Sequence, residues 1–296
     1  NKKQLKSLST DTIEGWKKGG TITLNLSQAS LSNWAAGGQN SISANGLVSL
    51  FANYKKNDHI WENYLEVGYG TIKNGKNQGW IKTDDKINAT SKYGRKAFKN
   101  WYYAGLLDFK TQMISGYNYP NDSVQISNLL APGYLTIAIG LNYSKQENFT
   151  AFLAPLSAKT TFVNNQRLAD AGSFGVTSAI YDEQGNMLTA GKKTRLEVGG
   201  YIRLFLKHEI AKNVTFQTKI DLFSNYIDNP QNIDINWETL ITMKVNKLIS
   251  ATLSTQLIYD DNVIIELDKN QDGVIESSGP RVQFKEILGI GISYSF

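Results

Sequence analysis

Apolar and polar residues alternate along most of this chain. Period-two runs recur from residue 20 to the end, whereas apolar residues at three-four spacing are seldom kept up over ten residues. The alternation predicts about twelve strands: 20–29, 41–54, 58–72, 84–98, 100–113, 131–145, 148–163, 194–210, 213–227, 232–246, 249–262 and 282–296. Pro132 and Pro155 mark a strand start and a kink, because proline removes a ladder donor.

The connections between these strands alternate in length. After even-numbered strands they are turn-like: 55–58, 99–100, 145–147, 211–213 and 246–248. After odd-numbered strands they are long: 30–40, 73–83, 114–130, 164–193 and 263–281, with 228–231 the exception. An up-and-down antiparallel sheet collects all even connections at one end and all odd ones at the other. Short turns at one end and long loops at the other fit a barrel of the outer-membrane kind, with the short turns periplasmic. An even strand number then places both termini at the periplasmic end.

The two faces of the strands differ sharply. One runs Ile22, Leu24, Leu26, then Val48, Leu50, Tyr54, then Trp61, Leu65, Val67, and so on to Leu288, Ile290, Ile292, Tyr294 and Phe296. Arg95 and Glu286 share this parity but lie toward strand ends. A charge at a bilayer midplane costs roughly 2–4 kcal/mol, so a face without central charges suits lipid. The opposite face carries the acids Glu62, Glu66, Asp108, Glu197, Asp221, Asp234, Glu238 and Asp260. It also carries the bases Lys86, Lys92, Lys110, Arg203, Lys207, Lys219, Lys244 and Lys285. A soluble barrel would reverse this arrangement. Aromatics gather at both ends of the apolar face: Tyr54, Trp61, Trp101, Tyr103, Tyr143 and Tyr294 at one, Tyr69, Tyr226, Tyr259 and Phe284 at the other. The last strand, Leu288 to Phe296, ends on the aromatic position expected of the sorting strand that barrel-assembly machinery reads.

Composition changes the picture little. The 296 residues include 15 Tyr, 12 Phe and 6 Trp, and no run reaches the ~18–20 apolar residues of a membrane helix. The absence of cysteine excludes disulfides and thiolate metal sites. A dispersed net charge of +5, without a basic stripe, argues against nucleic acid as a partner. A chain that begins at Asn1 fits a processed, exported protein.

Three segments suggest chemistry. In DKNQDGVIE (268–276), Asp268, Asn270 and Asp272 precede Gly273 as in the first half of a Ca2+ loop, with Val274 offering a carbonyl and Glu276 a further oxygen. Gly279 stands where that loop carries its bidentate Glu, so a polar turn is the competing reading. An outer-membrane lipase would need a His beside a Ser near the long-loop end. The two histidines, His59 and His208, both fall at the short-turn end, which argues against an enzyme. In NWAAGG (33–38), Trp34 either plugs the lumen or anchors a tight Gly turn.

Several phrases occur together: WKKGG (16–20), QASLSNWAAGGQNSIS (28–43), GLVSLFANYKKN (46–57), YLEVGYG (64–70), LIYDD (257–261) and GPRVQFKEILGIGISYSF (279–296). They resemble a family of Bacteroidota outer-membrane proteins known as a domain of unknown function. The resemblance implies location and fold, and brings no activity or catalytic residues.

The expectation is an all-β chain. Residues 20–296 form one transmembrane antiparallel up-and-down β-barrel of about 12 strands, and residues 1–19 a periplasmic or lumen segment. Its surroundings would be the lipids of a Gram-negative outer membrane, the barrel-assembly machinery and other envelope proteins. The expected role is that of a non-enzymatic accessory subunit of a larger complex for barrel assembly, secretion or uptake. A narrow channel for small solutes and a surface hydrolase are the alternatives. Eight acids matched by eight bases weigh slightly against an open pore, since a selective channel more often enriches one sign.

Overall fold

The computed structural model describes residues 14–31, 39–75, 79–119, 121–146, 148–246, 248–267 and 275–296. Twelve long strands run β1 (Gly15–Ala29), β2 (Ser41–Lys56), β3 (His59–Asn74), β4 (Ile81–Phe98), β5 (Trp101–Thr111) and β6 (Gly133–Gln146). They continue β7 (Phe149–Phe162), β8 (Thr194–Ala211), β9 (Val214–Asn225), β10 (Asp234–Lys244), β11 (Ile249–Tyr259) and β12 (Gln283–Ser295). Each pairs antiparallel with its neighbour in sequence, and β12 returns to β1, so the sheet is a closed barrel. The expected all-β, twelve-stranded architecture is the observed one.

The barrel follows from the alternation. Register pairs such as Leu50↔Leu65, Ile139↔Leu156 and Leu253↔Leu288 stack apolar residues on one face. That face points outward: Leu196, Ile290 and Leu288 are 66%, 66% and 69% exposed. The inward face buries Glu62, Asp108, Glu197 and Asp221. A water-soluble sheet protein buries its apolar face and wets its polar one, and here the order is inverted.

Two boundaries and one strand phase differ from the sequence reading in ways that have a local reason. β1 begins at Gly15, five residues earlier than expected. Gly19 and Gly20 look like strand breakers, but they are where the C-terminus lands. Gly20 and Phe296 exchange both backbone hydrogen bonds, each 3.1 Å. A Cβ on Gly20 would meet the Phe296 ring at 2.9 Å, and one on Gly19 would meet the Phe296 carbonyl at 2.7 Å. β5 stops at Thr111, so Met113, expected on the apolar face, lies in the following loop with its N–H on Asp85 Oδ1 at 2.8 Å. In β7 the register shifts around Pro155, so that Leu153 and Leu156 both face outward and Ser157, Lys159 and Thr161 turn inward.

The connections also follow the expected asymmetry. At the short-turn end, Asn57, Lys99 and Asn213 take the left-handed conformation in tight turns. At the long-loop end, the connections fold on themselves. A helical turn at Gln166–Asp170 is capped by Asn165 and packs Leu168 and Ala169 against Ala131, Val163 and Val176. Asn165 Nδ2 donates to Gln125 Oε1 at 3.0 Å, and Arg167 bonds the Gln125 carbonyl, which joins two of the long loops. The hairpin 180–189 is closed by Asp182, whose carboxylate takes the Asn186 side-chain amide and the Gln184 and Asn186 backbone N–H groups. The Asn186 side-chain bond, more than any other contact, holds the Asp182 carboxyl below its ordinary range.

Candidate functional site

Among the described residues the lumen is where the chain gathers charge, and most of its residues arrive there by strand parity. On β5, Asp108 and Lys110 alternate with outward Leu107 and Phe109. On β8, Glu197 and Arg203 alternate with Leu196, Ile202 and Leu204. Inward-facing Ala104, Leu106, Ala138, Phe152, Ala154, Tyr201 and Phe223 bury an apolar cluster in the same half of the lumen.

A first ion-pair lattice sits beside that cluster. Arg203 Nε and a terminal nitrogen bond the two Asp221 oxygens at 2.6 and 2.9 Å, and its guanidinium reaches Asp108 at 3.0 Å. Tyr201 Oη donates to Asp221 at 2.8 Å, and Thr90 Oγ1 donates to Asp108 at 2.6 Å. Lys110 lies 3.2 Å from Asp221, 3.7 Å from Asp108 and 3.9 Å from Glu238, and Lys219 lies 2.9 Å from Glu238. Three carboxylates thus meet three cations, and the lattice is neutral. The two-pronged Arg203–Asp221 contact is the geometry in which a guanidinium binds a carboxylate best.

A second lattice lies toward the long-loop end. Lys159 Nζ sits 2.5 Å from Asp234, 3.0 Å from Asp260 and 3.5 Å from Glu197. Arg195 bonds Glu197 at 2.9 Å and donates to the Gly175 carbonyl at 3.0 Å, which ties the lattice to the loop above it. The carboxylates of Asp234, Asp260 and Asp261 come within 4.8 Å of one another, a spacing that could hold a metal ion. Lys159 already supplies a cation to two of them, and Asp261 accepts from Asn229 and Asn232 side-chain amides at 3.2 and 2.6 Å.

Other inward charges form separate pairs. Lys92 meets Glu62 at 2.7 Å and donates to Asn142 at 3.1 Å, Lys86 pairs with Glu66, and Lys285 with Asp84 at 2.9 Å. Lys207 and Lys244 face inward near the short-turn end. Sequence reasoning missed Lys159, because the shift at Pro155 reverses its face. It also missed Arg195 and Asp84, which lie at or near strand starts, where parity is hard to phase.

The histidines do no lumen work in this arrangement. His59 Nδ1 is 2.6 Å from Tyr93 Oη on the outer rim, and His208 stands opposite Phe216 on the outward face. Of the proposed Ca2+ ligands, Asp268, Asn270, Asp272 and Val274 lie outside the described residues, as does Trp34. Glu276 is described and its N–H bonds the Leu267 carbonyl at 2.9 Å, at the base of the hairpin 264–267/277–280. Leu288, Ile290, Ile292 and Tyr294 line the outward face of β12, and Phe296 ends it beside Gly20.

Residues 26–117 match the model of a family described as a protein of unknown function, DUF3078. This stretch takes in NWAAGG (33–38) and YLEVGYG (64–70). No curated protein matches the chain. Among solved structures, the chain is similar to an outer membrane channel from Pseudomonas putida F1, at 11% identity over 100% of this chain and 99% of that one, with a TM-score of 0.42. It is similar to the translocator domain of the autotransporter NalP from Neisseria meningitidis, at 10% identity over 97% and 90%, with a TM-score of 0.40. It is also similar to OmpF of Salmonella typhi, at 10% identity over 95% and 97%, with a TM-score of 0.28. The barrel class itself rests on the closed strand order and registers of this chain.

Proposed function

We propose that the chain is an integral protein of a Gram-negative outer membrane. In this reading the short turns and both termini face the periplasm, and the barrel serves as a non-enzymatic structural subunit of a larger envelope assembly. The location is supported by the outward apolar belt and its aromatic borders, an arrangement stable in hydrocarbon and unfavourable in water. Trp16, Tyr54, Trp61 and Tyr93 lie in one register row at the short-turn end, with Trp16 5.3 Å from Tyr54 and 5.6 Å from Trp61. β12 would carry the signal read by the barrel-assembly machinery.

The observation that carries the structural role is the lumen lattice. Arg203, Lys110 and Asp221 link β5, β8 and β9 across the interior, and Arg195 ties the second lattice to Gly175 in the loop above. Ion pairs this close and this interlocked suit a packed interior better than a solute path.

A second reading, a narrow channel, is favoured by one feature. The inward faces of β11, β12, β1 and β2 carry Thr252, Ser254, Gly289, Gly291, Thr21, Thr23 and Ser49, which are small and uncharged. A path would run along that side.

The deciding experiment is purification of the tagged full chain from its native membrane in mild detergent, followed by sizing and identification of co-eluting proteins. A stoichiometric complex with other envelope proteins is the expected result. Elution of the barrel alone, together with stepwise single-channel conductance in planar bilayers, would overturn the structural reading in favour of the channel.

A further inference from the structure

We propose that the outward face of β1–β4 at the short-turn end is a binding site for one anionic glycerophospholipid. The inference rests on the membrane location proposed above and assigns that surface a specific ligand.

Two adjoining hollows mark the site. One, of about 290 Å³, lies on the rim between Tyr54, Trp61 and Tyr93 and carries Lys56 and His59 at its edge. The other, of about 560 Å³, is an open groove one register row further into the belt. It runs between Leu50, Leu65, Leu107 and Phe296 over Ala52 and Ala89, with Lys18 at one end. The rows Tyr54↔Trp61↔Tyr93 and Ala52↔Asn63↔Ser91 are successive outward rows of the same strands, so the hollows are neighbours. The groove exists because small residues stand where other strands carry Leu or Ile, and because Gly20 lets the Phe296 ring lie across β1.

Charge selects the occupant. Lys18 has outward parity two residues inside the aromatic row, and its ammonium turns back to 5.7 Å from the Trp16 ring. A lysine in that position keeps its stem in hydrocarbon and its head at the phosphate depth. Lys56 and Arg95 have the same outward parity one row nearer the rim, on either side of His59. Glu14, which precedes β1, accepts the Asn57 N–H on its Oε1 at 3.1 Å. On β8 to β12 the last outward strand positions at this end are Ile210, Val214, Met243, Ile249 and Tyr294, none of them a cation. Deeper in the groove, Trp61 Nε1 donates to Ser91 Oγ at 2.8 Å, and Ser91 donates to Asn63 Oδ1 at 2.8 Å. Asn63 Nδ2 donates to the Ala52 carbonyl at 2.9 Å, so these polar groups satisfy one another and leave the groove to an acyl chain. Cations at headgroup depth beside an apolar channel of acyl width match a lipid with a phosphate and two chains. They fit neither a neutral glyceride nor the apolar surface of a second copy.

The test is native mass spectrometry of the full chain in mild detergent, with phosphatidylglycerol, phosphatidylcholine, diacylglycerol and lipid A offered in turn. One phosphatidylglycerol should be retained per barrel, with phosphatidylcholine weaker and diacylglycerol absent. Lys18→Gln and Lys56→Gln should each cost about fivefold in affinity, the expected worth of one cation beside an anionic lipid surface. Ala89→Leu should reduce retention with every cation intact, which separates groove from charge, and all three outward changes leave the lumen untouched. Equal retention by wild type and variants would overturn the proposal. So would preference for lipid A, or a dimer on sizing that the same substitutions dissociate. A chain that fails to fractionate with membranes at all would instead overturn the location, a result separable from a membrane-inserted barrel that retains no lipid.

Discussion

The two sides of the lumen hold the barrel together by opposite means. From β3 to β10 the inward face is charged and filled, with Arg203, Lys110 and Lys159 each reaching carboxylates on other strands. From β11 through β12 and β1 to β2 the inward face is mostly Ser, Thr, Asn and Gly, with Lys285 held by Asp84, and close approach and hydroxyl contacts such as Thr21–Ser295 at 3.2 Å replace the interlocked ion pairs. The seam between β1 and β12 has five register pairs, from Thr21↔Ser295 to Asn25↔Gly291, against sixteen between β2 and β3. One side is thus locked by buried ion pairs, while the other is closed by backbone, by hydroxyl pairs such as Thr23–Ser293 and by glycines that let the strands approach. Substitutions should cost most where charge is buried and least where small residues face open space.

The largest effect is expected at Arg203. Arg203→Met leaves Asp108 and Asp221 buried, with Lys110 at 3.7 and 3.2 Å as their remaining cation. Breaking one member of a buried charge set costs about 3–5 kcal/mol. The urea midpoint of the refolded barrel in vesicles, read by heat-modified gel mobility, should fall accordingly. The double change Arg203→Met, Asp221→Asn, which leaves Lys110 and Lys219 against Asp108 and Glu238 and so keeps the lattice neutral, should recover most of that loss. If the single change is silent, the lattice is solvated and the contrast between the two sides collapses.

The next effect belongs to the seam. A Cβ at Gly291 would run into the Leu24 carbonyl and the Asn25 backbone, so Gly291→Val should cost about 3 kcal/mol, the upper end of overpacking. Gly105 is the control. It faces outward, and a Cβ there would meet nothing within 4 Å, so Gly105→Val should leave the urea midpoint in place. A smaller loss is expected on deleting Phe296. That removes the two hydrogen bonds exchanged with Gly20, about 1–3 kcal/mol together. The readout is faster unfolding of barrels that have already been refolded in vitro, which keeps the effect apart from any role of the C-terminus in assembly.

Most of the wall was legible in the sequence, because outward-facing and lumen-facing residues must alternate and a one-residue slip would reverse both faces. Glu62, Asp108, Arg203 and Asp221 were placed inward by parity alone. Their partners were not legible, because Asp108 meets Arg203 across the lumen from a strand far away in sequence. Where the period broke, the reading broke with it. The register shift at Pro155 is what brings Lys159 inward, and the Gly19–Gly20 pair hides the first residues of β1. The lipid site carries no one-dimensional signal, since its cations and small residues become neighbours only through the registers of four strands.

The smallest effect sharpens the contrast most. Asn25 stands on the seam, buried to 9% exposure, with its side chain lying over Gly289 and Gly291. Among the described residues its Oδ1 has no hydrogen-bond partner. An unsatisfied buried acceptor already bears its desolvation cost, so removing it relieves that cost, unlike the loss of one partner from a satisfied pair. Asn25→Ala should therefore shift stability by less than about 0.5 kcal/mol in either direction, or stabilise slightly. The comparison is Asn142→Ala on the charged side, where the buried Oδ1 accepts from Lys92 at 3.1 Å and the loss strands part of a charged donor. Parallel urea titrations should separate the two by about 1–3 kcal/mol, the worth of a hydrogen bond to a charged group. Equal losses would mean that the seam is as tightly satisfied as the lattice, and that its few register pairs understate how firmly the barrel is closed.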